Sequence, residues 1–131
     1  MIYSLVVLAS PATAVPQRAL AFARALLGRG HEIRRVFFLD DGVQCGLATA
    51  VEAQDEVDQL AEWRALAEEH QVELIACVSS ALRRGVLDAT EAERHDRGAA
   101  TLDDAFSIGG LGLLVEAGSD SDRLLTFGGT S

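Results

Sequence analysis

The 131-residue sequence contains no lysine, and all eleven of its basic residues are arginine. That absence excludes Schiff-base chemistry and a phosphate-loop lysine. Asparagine is also missing, so there is no glycosylation acceptor. Cysteine occurs twice, as Cys45 and Cys77. Two thiols cannot build a disulfide scaffold, and they fit a cytoplasmic protein. Trp63 and five dispersed phenylalanines are too few for a base-stacking platform. Positive charge is scarce: 20 acidic residues against 11 basic ones give a formal charge of −9, which argues against nucleic-acid binding. No long hydrophobic run occurs. The apolar stretch Ile2 to Ala9 has no basic leader and is far too short to span a bilayer. What remains is a globular composition, 49% apolar and 24% charged, and enough chain for one domain over residues 1–131.

Ile2 to Ala9 reads as a strand covered on both faces, because its apolar run is continuous. Ser10-Pro11-Ala12-Thr13 breaks it. A helix starts near Pro16, with Ala19, Leu20, Ala23, Leu26 and Leu27 at helical spacing and Gly28 and Gly30 as stop. Glu32 to Leu39 is the second strand, closed by Asp40-Asp41-Gly42. Val43 to Gln54 reads as irregular. A second helix is expected from Asp55 to His70, with Val57, Leu60, Ala61 and Ala67 inward. Val72 to Val78 is the third strand. A short helix from Ser79 to Arg84 ends at Gly85, and Leu87 to His95 is a polar helix with Asp88 and Thr90 as candidate caps. Asp96 to Thr101 reads as a loop, Gly109 to Ala117 as a helix, Arg123 to Phe127 as a last strand, and Gly128 to Ser131 as a frayed tail. Alternating strands and helices predict a single-domain α/β three-layer sandwich with a mainly parallel sheet. Ligands on such sheets sit outside the carboxyl ends of the strands, here Ser10 to Val15, Asp40 to Gly46 and Cys77 to Ser80.

Cys77 is the most informative residue. It ends a predicted strand and precedes a predicted helix, where backbone N–H groups and the helix dipole lower a thiol pKa. Ser79 and Ser80 open that helix, and Arg83 and Arg84 lie one to two turns on, where they add positive potential. The same arrangement suits a persulfide anion. From position alone a second account stands beside it: Cys77 as a small buried hydrophobe closing a strand. Cys45, after the second strand, offers an accessory thiol or an incidental loop cysteine, and nothing nearby activates it. His31, His70 and His95 share no ligand spacing with the cysteines, so no metal site is expected. His31 and His70 read as helix-terminal, His95 as solvated. Asp40 and Asp41 are adjacent and would point apart on a strand. Gly109-Gly110-Leu111-Gly112 imitates a phosphate loop, but Val115 stands at the third glycine position. A flavin or nucleotide binder is thereby disfavoured.

Taken in order, several stretches resemble the DsrE/TusD family of sulfur-relay proteins. They include Ala19-Leu20-Ala21-Phe22-Ala23, Gly30-His31-Glu32-Ile33, Arg35-Val36-Phe37-Phe38 and Asp41-Gly42-Val43. The most specific is Cys77-Val78-Ser79-Ser80-Ala81-Leu82-Arg83-Arg84-Gly85-Val86-Leu87-Asp88. Glu91-Ala92, Ile108, Gly110-Leu111-Gly112 and Asp122-Arg123-Leu124-Leu125 follow. The resemblance implies a DsrE/DsrF-like fold with flavodoxin-like layering. It implies a sulfurtransferase in which Cys77 accepts sulfane sulfur as a persulfide, with Val78, Ser79, Ser80, Arg83 and Arg84 stabilising it. It implies no cofactor. The implied partners are two sister small subunits (TusB/TusC- or DsrH/DsrF-like) in a hetero-hexamer, a TusE/DsrC-like acceptor and a TusA-like donor. The implied pathway is 2-thiolation of the tRNA wobble uridine, or a DsrE-type sulfur oxidation. A non-catalytic assembly subunit is the rival role. Two departures stand out: Cys45 replaces an expected polar loop residue, and the tail after Phe127 is slightly longer.

Overall fold

The computed structural model describes residues 1–129. Five strands form one sheet: β1 (Ile2–Val7), β2 (Glu32–Phe38), β3 (Glu73–Cys77), β4 (Phe106–Gly109) and β5 (Arg123–Phe127). Their order is β4-β3-β2-β1-β5, and every ladder is parallel. The chain steps outward from β1 to β4, then returns to the far side of β1. This order differs from the 2-1-3-4-5 of flavodoxin; what is shared is the layering.

Right-handed crossovers decide where the helices lie. α1 (Val15–Gly28) and α2 (Gln59–His70) link strands laid down in one direction and cover one face. α5 (Leu111–Asp120) links β4 to β5 in the opposite direction, so it lies on the other face. Strand side chains alternate accordingly. Leu5, Val7, Val36, Phe38, Leu74 and Ala76 pack with Ala19, Leu20, Ala23, Trp63 and Leu66 in the main core. Phe37, Ile75 and Cys77 form a separate small cluster under Leu39, Leu113 and Leu114. Full burial of a large apolar side chain contributes roughly 1.5–3 kcal/mol, so the face with Trp63, Phe38 and Leu66 holds most of the stability.

Several boundaries differ from the sequence expectation. α2 starts at Gln59, four residues later than Asp55, because the Asp58 carboxylate caps it by accepting the Ala61 N–H at 3.1 Å. Val57 is therefore outside the helix and exposed, and Ala61 is exposed as well; Leu60 and Ala67 pack partly on the core as expected, and Trp63 and Leu66 are the fully buried apolar residues. Asp40–Gly46, expected to begin an irregular stretch, forms a 3-10 helix with Val43 and Cys45 buried. Gly42 is required there: a Cβ would overlap the Val7 carbonyl oxygen. Phe106–Gly109 is a strand that the expected helix from Gly109 partly overwrote; the helix itself is Leu111–Asp120. α3 (Val78–Arg83) and α4 (Ala89–Arg94) lie as expected, with Asp88 capping α4 by accepting the Glu91 N–H at 2.8 Å. Of the tail expected to fray, Thr130 and Ser131 lie outside the described residues. Among the described residues no helix is long and apolar enough to cross a membrane.

Candidate functional site at the β3–α3 joint

Cys77 is at once the last residue of β3 and the N-cap of α3, with extended backbone angles (φ −60°, ψ 126°). Its sulfur faces the unpaired N–H groups at the start of α3. Sγ lies 3.6 Å from Ser79 Oγ. Burial raises the pKa of this thiol, but hydrogen bonds from the Ser80 N–H, the Ser79 and Ser80 hydroxyls and the Ser79 N–H outweigh it and hold the thiol below its ordinary value. Ser80 Oγ accepts the Asp40 N–H at 3.0 Å, which leaves its own proton available to the sulfur. Asp40 itself sits at φ 50°, so the 3-10 helix is pinned to α3 through a left-handed residue.

The sulfur is only 2% exposed at the level of its residue. It belongs to a small cluster with Phe37 and Ile75, on which Leu113 and Leu114 from the first turn of α5 and Leu39 pack. Gly109 stands opposite Cys77 in the β3–β4 register. A Cβ at Gly109 would overlap Leu113 Cδ1 and come within 3.0 Å of Ile75 Cγ2, so glycine lets Leu113 lie flat over this end of the sheet. Arg35, 3% exposed, anchors that arrangement from below. Its Nη1 donates to the Leu113 carbonyl at 2.8 Å, and its Nη2 donates to Glu73 Oε2 at 2.8 Å.

The predicted site residues separate into two groups. Cys77, Ser79 and Ser80 converge, and Val78 supplies the first turn of α3. The two arginines are employed elsewhere. Arg84 donates from Nε to Asp41 Oδ1 at 2.9 Å and from Nη1 to the Ser80 carbonyl at 3.1 Å, tying α3 to the 3-10 helix. Arg83 is exposed and lines a separate cavity with Leu87, His95 and Arg97. The groups that lower the Cys77 pKa are the serines and the helix N–H groups, with neither guanidinium among them.

Cys45 packs in the main core, apart from the small cluster that holds Cys77. Burial pushes its thiol up to about 12, so it carries almost no thiolate at neutral pH. This environment speaks against an accessory nucleophile. His31 lies 3.2 Å through Nδ1 from the amino terminus and packs edge-on against Tyr3, at the amino end of the sheet. Among the described residues no group of three or more metal-ligating side chains occurs. Of the three segments expected at the carboxyl edge, Asp40–Gly46 and Cys77–Ser80 meet. Pro11 of the third instead accepts from Gln59 Nε2 at 3.2 Å. Sequence reasoning missed Leu113, Leu114 and Arg35. The available signal was that four of the first five residues of α5, Leu111, Leu113, Leu114 and Val115, are large and apolar, more than one narrow buried stripe needs.

The chain is 47% identical over 119 residues to the sulfurtransferase TusD homolog of Pseudomonas aeruginosa, covering 91% of each. It is 46% identical over 109 residues to the sulfurtransferase TusD of Sodalis glossinidius (83% of this chain, 84% of that one). It is 43% identical over 110 residues to DsrE of Allochromatium vinosum (84% of this chain, 85% of that one). The crystal structure of the ychN protein from E. coli shares the fold, with a TM-score of 0.78 at 20% identity over 97% of this chain and 99% of that one. The DsrE/DsrF-like family profile matches residues 1–127, and the chain belongs to that family.

Proposed function

We propose that this sulfurtransferase carries sulfane sulfur on Cys77 as a persulfide and passes it to a protein thiol. The observation that carries the reading is the Cys77 sulfur at the α3 N-terminus, stabilised as an anion by Ser79 and Ser80. The Cys77 thiolate attacks the outer sulfur of a donor persulfide. A new S–S bond forms at Cys77, the donor S–S bond breaks, and the donor leaves as a thiolate. The acceptor thiolate then attacks the outer sulfur on Cys77 and releases the Cys77 thiolate. No net oxidant or reductant is consumed. A low thiol pKa serves both halves, as attacking group and as leaving group. Ser79 and Ser80 donors suit a persulfide anion as they suit the thiolate.

The proposed partners are a TusA-like donor, a TusE/DsrC-like acceptor and two sister subunits in a hetero-hexamer, with a cytoplasmic location. Leu111 and Val115, one turn apart on α5, are 55% and 70% exposed, and an unpartnered apolar stripe of this kind supports assembly. The matches to TusD proteins support 2-thiolation of the tRNA wobble uridine as the pathway. The match to DsrE favours a second reading, sulfur oxidation. Loss of wobble-uridine thiolation in a deletion strain, restored by the wild-type chain and not by Cys77→Ser, decides between the two.

The transfer step is tested by intact mass after exposure to a sulfane-sulfur donor. A gain of about 32 Da per sulfur that disappears on reduction is expected for the wild type and not for Cys77→Ser. A sulfinic acid adds nearly the same mass but resists the reductant. If the folded chain and its assembled complex both fail to load, Cys77 is a packing residue.

A further inference from the structure

Arg34, Arg35, Arg64, Arg84 and Arg94 each hold a carboxylate. Arg83 and Arg97 hold none among the described residues, and both line one open cavity of about 330 Å³ with Leu82, Gly85, Leu87 and His95. Among the described residues no acidic side chain lines it, on a chain whose net charge is −9. The cavity lies where α3 and α4 end. Gly85 (φ +70°) and Asp96 (φ +55°) turn the chain there, and the Val86 and Arg97 N–H groups donate back to the Ala81 and Ala92 carbonyls at 2.9 and 2.7 Å. The Leu82 and Glu93 carbonyls accept from the Gly85 and Asp96 N–H groups, and the Gly85 carbonyl accepts from Thr101 Oγ1. Backbone and threonine groups thus satisfy these helix ends, and the guanidiniums are not spent on them. His95 Nε2 lies 3.3 Å from Glu91 Oε2, the nearest acidic group recorded for a lining residue.

We propose that this cavity is a docking site for an acidic segment of a partner protein, with an apolar side chain between Leu82 and Leu87 and flanking carboxylates on Arg83 and Arg97. Guanidinium forks match carboxylates in two-bond pairs, and the leucines offer a floor that a bare anion does not use. Nucleic acid is the poorer occupant: it would bring a row of phosphates against the −9 charge for the two arginines that line the cavity, with no stacking aromatic among the lining residues. This inference does not rest on sulfur transfer, because the docking contacts exclude Cys77.

The test is amide chemical-shift mapping on the isotope-labelled full chain with a capped pentapeptide, four glutamates around a central leucine. The expected shifts centre on Leu82 to Leu87 and His95 to Arg97. The glutamine counterpart should bind at least about tenfold more weakly, and salt should weaken the acidic peptide. Arg83→Gln with Arg97→Gln, both at exposed positions, should lose the shifts while the rest of the spectrum stays native. Cys77→Ser should bind like the wild type, so a failure of docking and a failure of sulfur loading are read separately. Equal binding of the glutamine peptide, shifts centred elsewhere, or unchanged binding by the double variant overturns the proposal. Inorganic phosphate reproducing the shifts at equal affinity would make this an anion site and overturn the peptide as occupant.

Discussion

Truncating Leu113 to alanine is expected to unmask Cys77 without changing its acidity. Cys77 is 2% exposed, so a bulky reagent reaches it only when its cover moves. Leu113 and Leu114 at the start of α5, with Leu39 alongside, pack on the small cluster that holds Cys77. A fully buried leucine truncated to alanine costs about 2–5 kcal/mol, and Leu113 is only partly buried, so about 1.5 kcal/mol is the reasonable share. If that loss falls on the docking of α5, the open population rises by about tenfold. The assay is the rate of labelling by an aromatic disulfide at neutral pH, followed by absorbance, with Cys77→Ser as the blank. Leu113→Ala should label about tenfold faster than wild type. The inflection of rate against pH should not move, because Ser79 and Ser80 remain in place. Cys45 should stay unlabelled in both. An unchanged rate in a natively folded Leu113→Ala protein would refute the idea that α5 covers the thiol. Equal acceleration at Cys45 would show global unfolding instead.

Arg35→Met should lower the melting temperature by several degrees, because a buried guanidinium leaves Glu73 and the Leu113 carbonyl without their donor, at a cost of about 2 kcal/mol. It should also speed Cys77 labelling, since Leu113 loses its tether. Ser79→Ala and Ser80→Ala should each move the inflection of the Cys77 rate profile to higher pH, measured by iodoacetamide kinetics. Ser80→Ala should in addition lose about 1 kcal/mol in urea unfolding, because the Asp40 N–H loses its acceptor. Cys45 has the opposite linkage. Its folded thiol is raised to about 12, so the unfolded chain releases this proton first as pH climbs. Its contribution to stability is complete below the ordinary thiol pKa and declines from there towards pH 12. Thermal melts should therefore fall with rising pH in that window, and less steeply for Cys45→Ala.

The sequence carried the parts of this fold that follow from continuous apolar runs and explicit turn chemistry. Ile2–Val7 and Glu73–Cys77 are built mainly of apolar residues, Glu32–Phe38 is centred on Val36-Phe37-Phe38, and Gly85 marks the end of α3. Phe106–Gly109 escaped because four residues with a serine and a glycine give no period, and the glycines behind it read as one unit with the helix. The start of α2 was misplaced because Asp55 and Asp58 are both chemically able to cap, and only tertiary context picks Asp58. Cys77 was legible as a strand-end, helix-start thiol. The fates of Arg83 and Arg84 were not, because adjacent residues on a short helix point in different directions. Arg84 turns to Asp41 and Arg83 to the cavity beside α4, and sequence offsets cannot say which.

The two thiols make the physical logic of the site explicit. Both are almost completely buried, yet one is raised to about 12 and the other lowered. Two things separate them: Cys45 is far more deeply desolvated in the main core, and Cys77 has the Ser79 and Ser80 donors at a helix start. Low residue exposure alone therefore does not set the acidity of a thiol, but it does limit access to it. Cys77 lies on the sheet face covered by α5, where the cluster above it is small, rather than under α1 and α2, where Trp63, Phe38 and Leu66 lock the packing. A thiol under the main core could be exposed only by unfolding the domain. A thiol under the first turn of α5 needs a local displacement, which keeps it from stray oxidants while leaving a partner a low-energy way in. Placing the acidic thiol in the small cluster under α5, and the inert one in the main core, suits the protein-to-protein sulfur transfer proposed above.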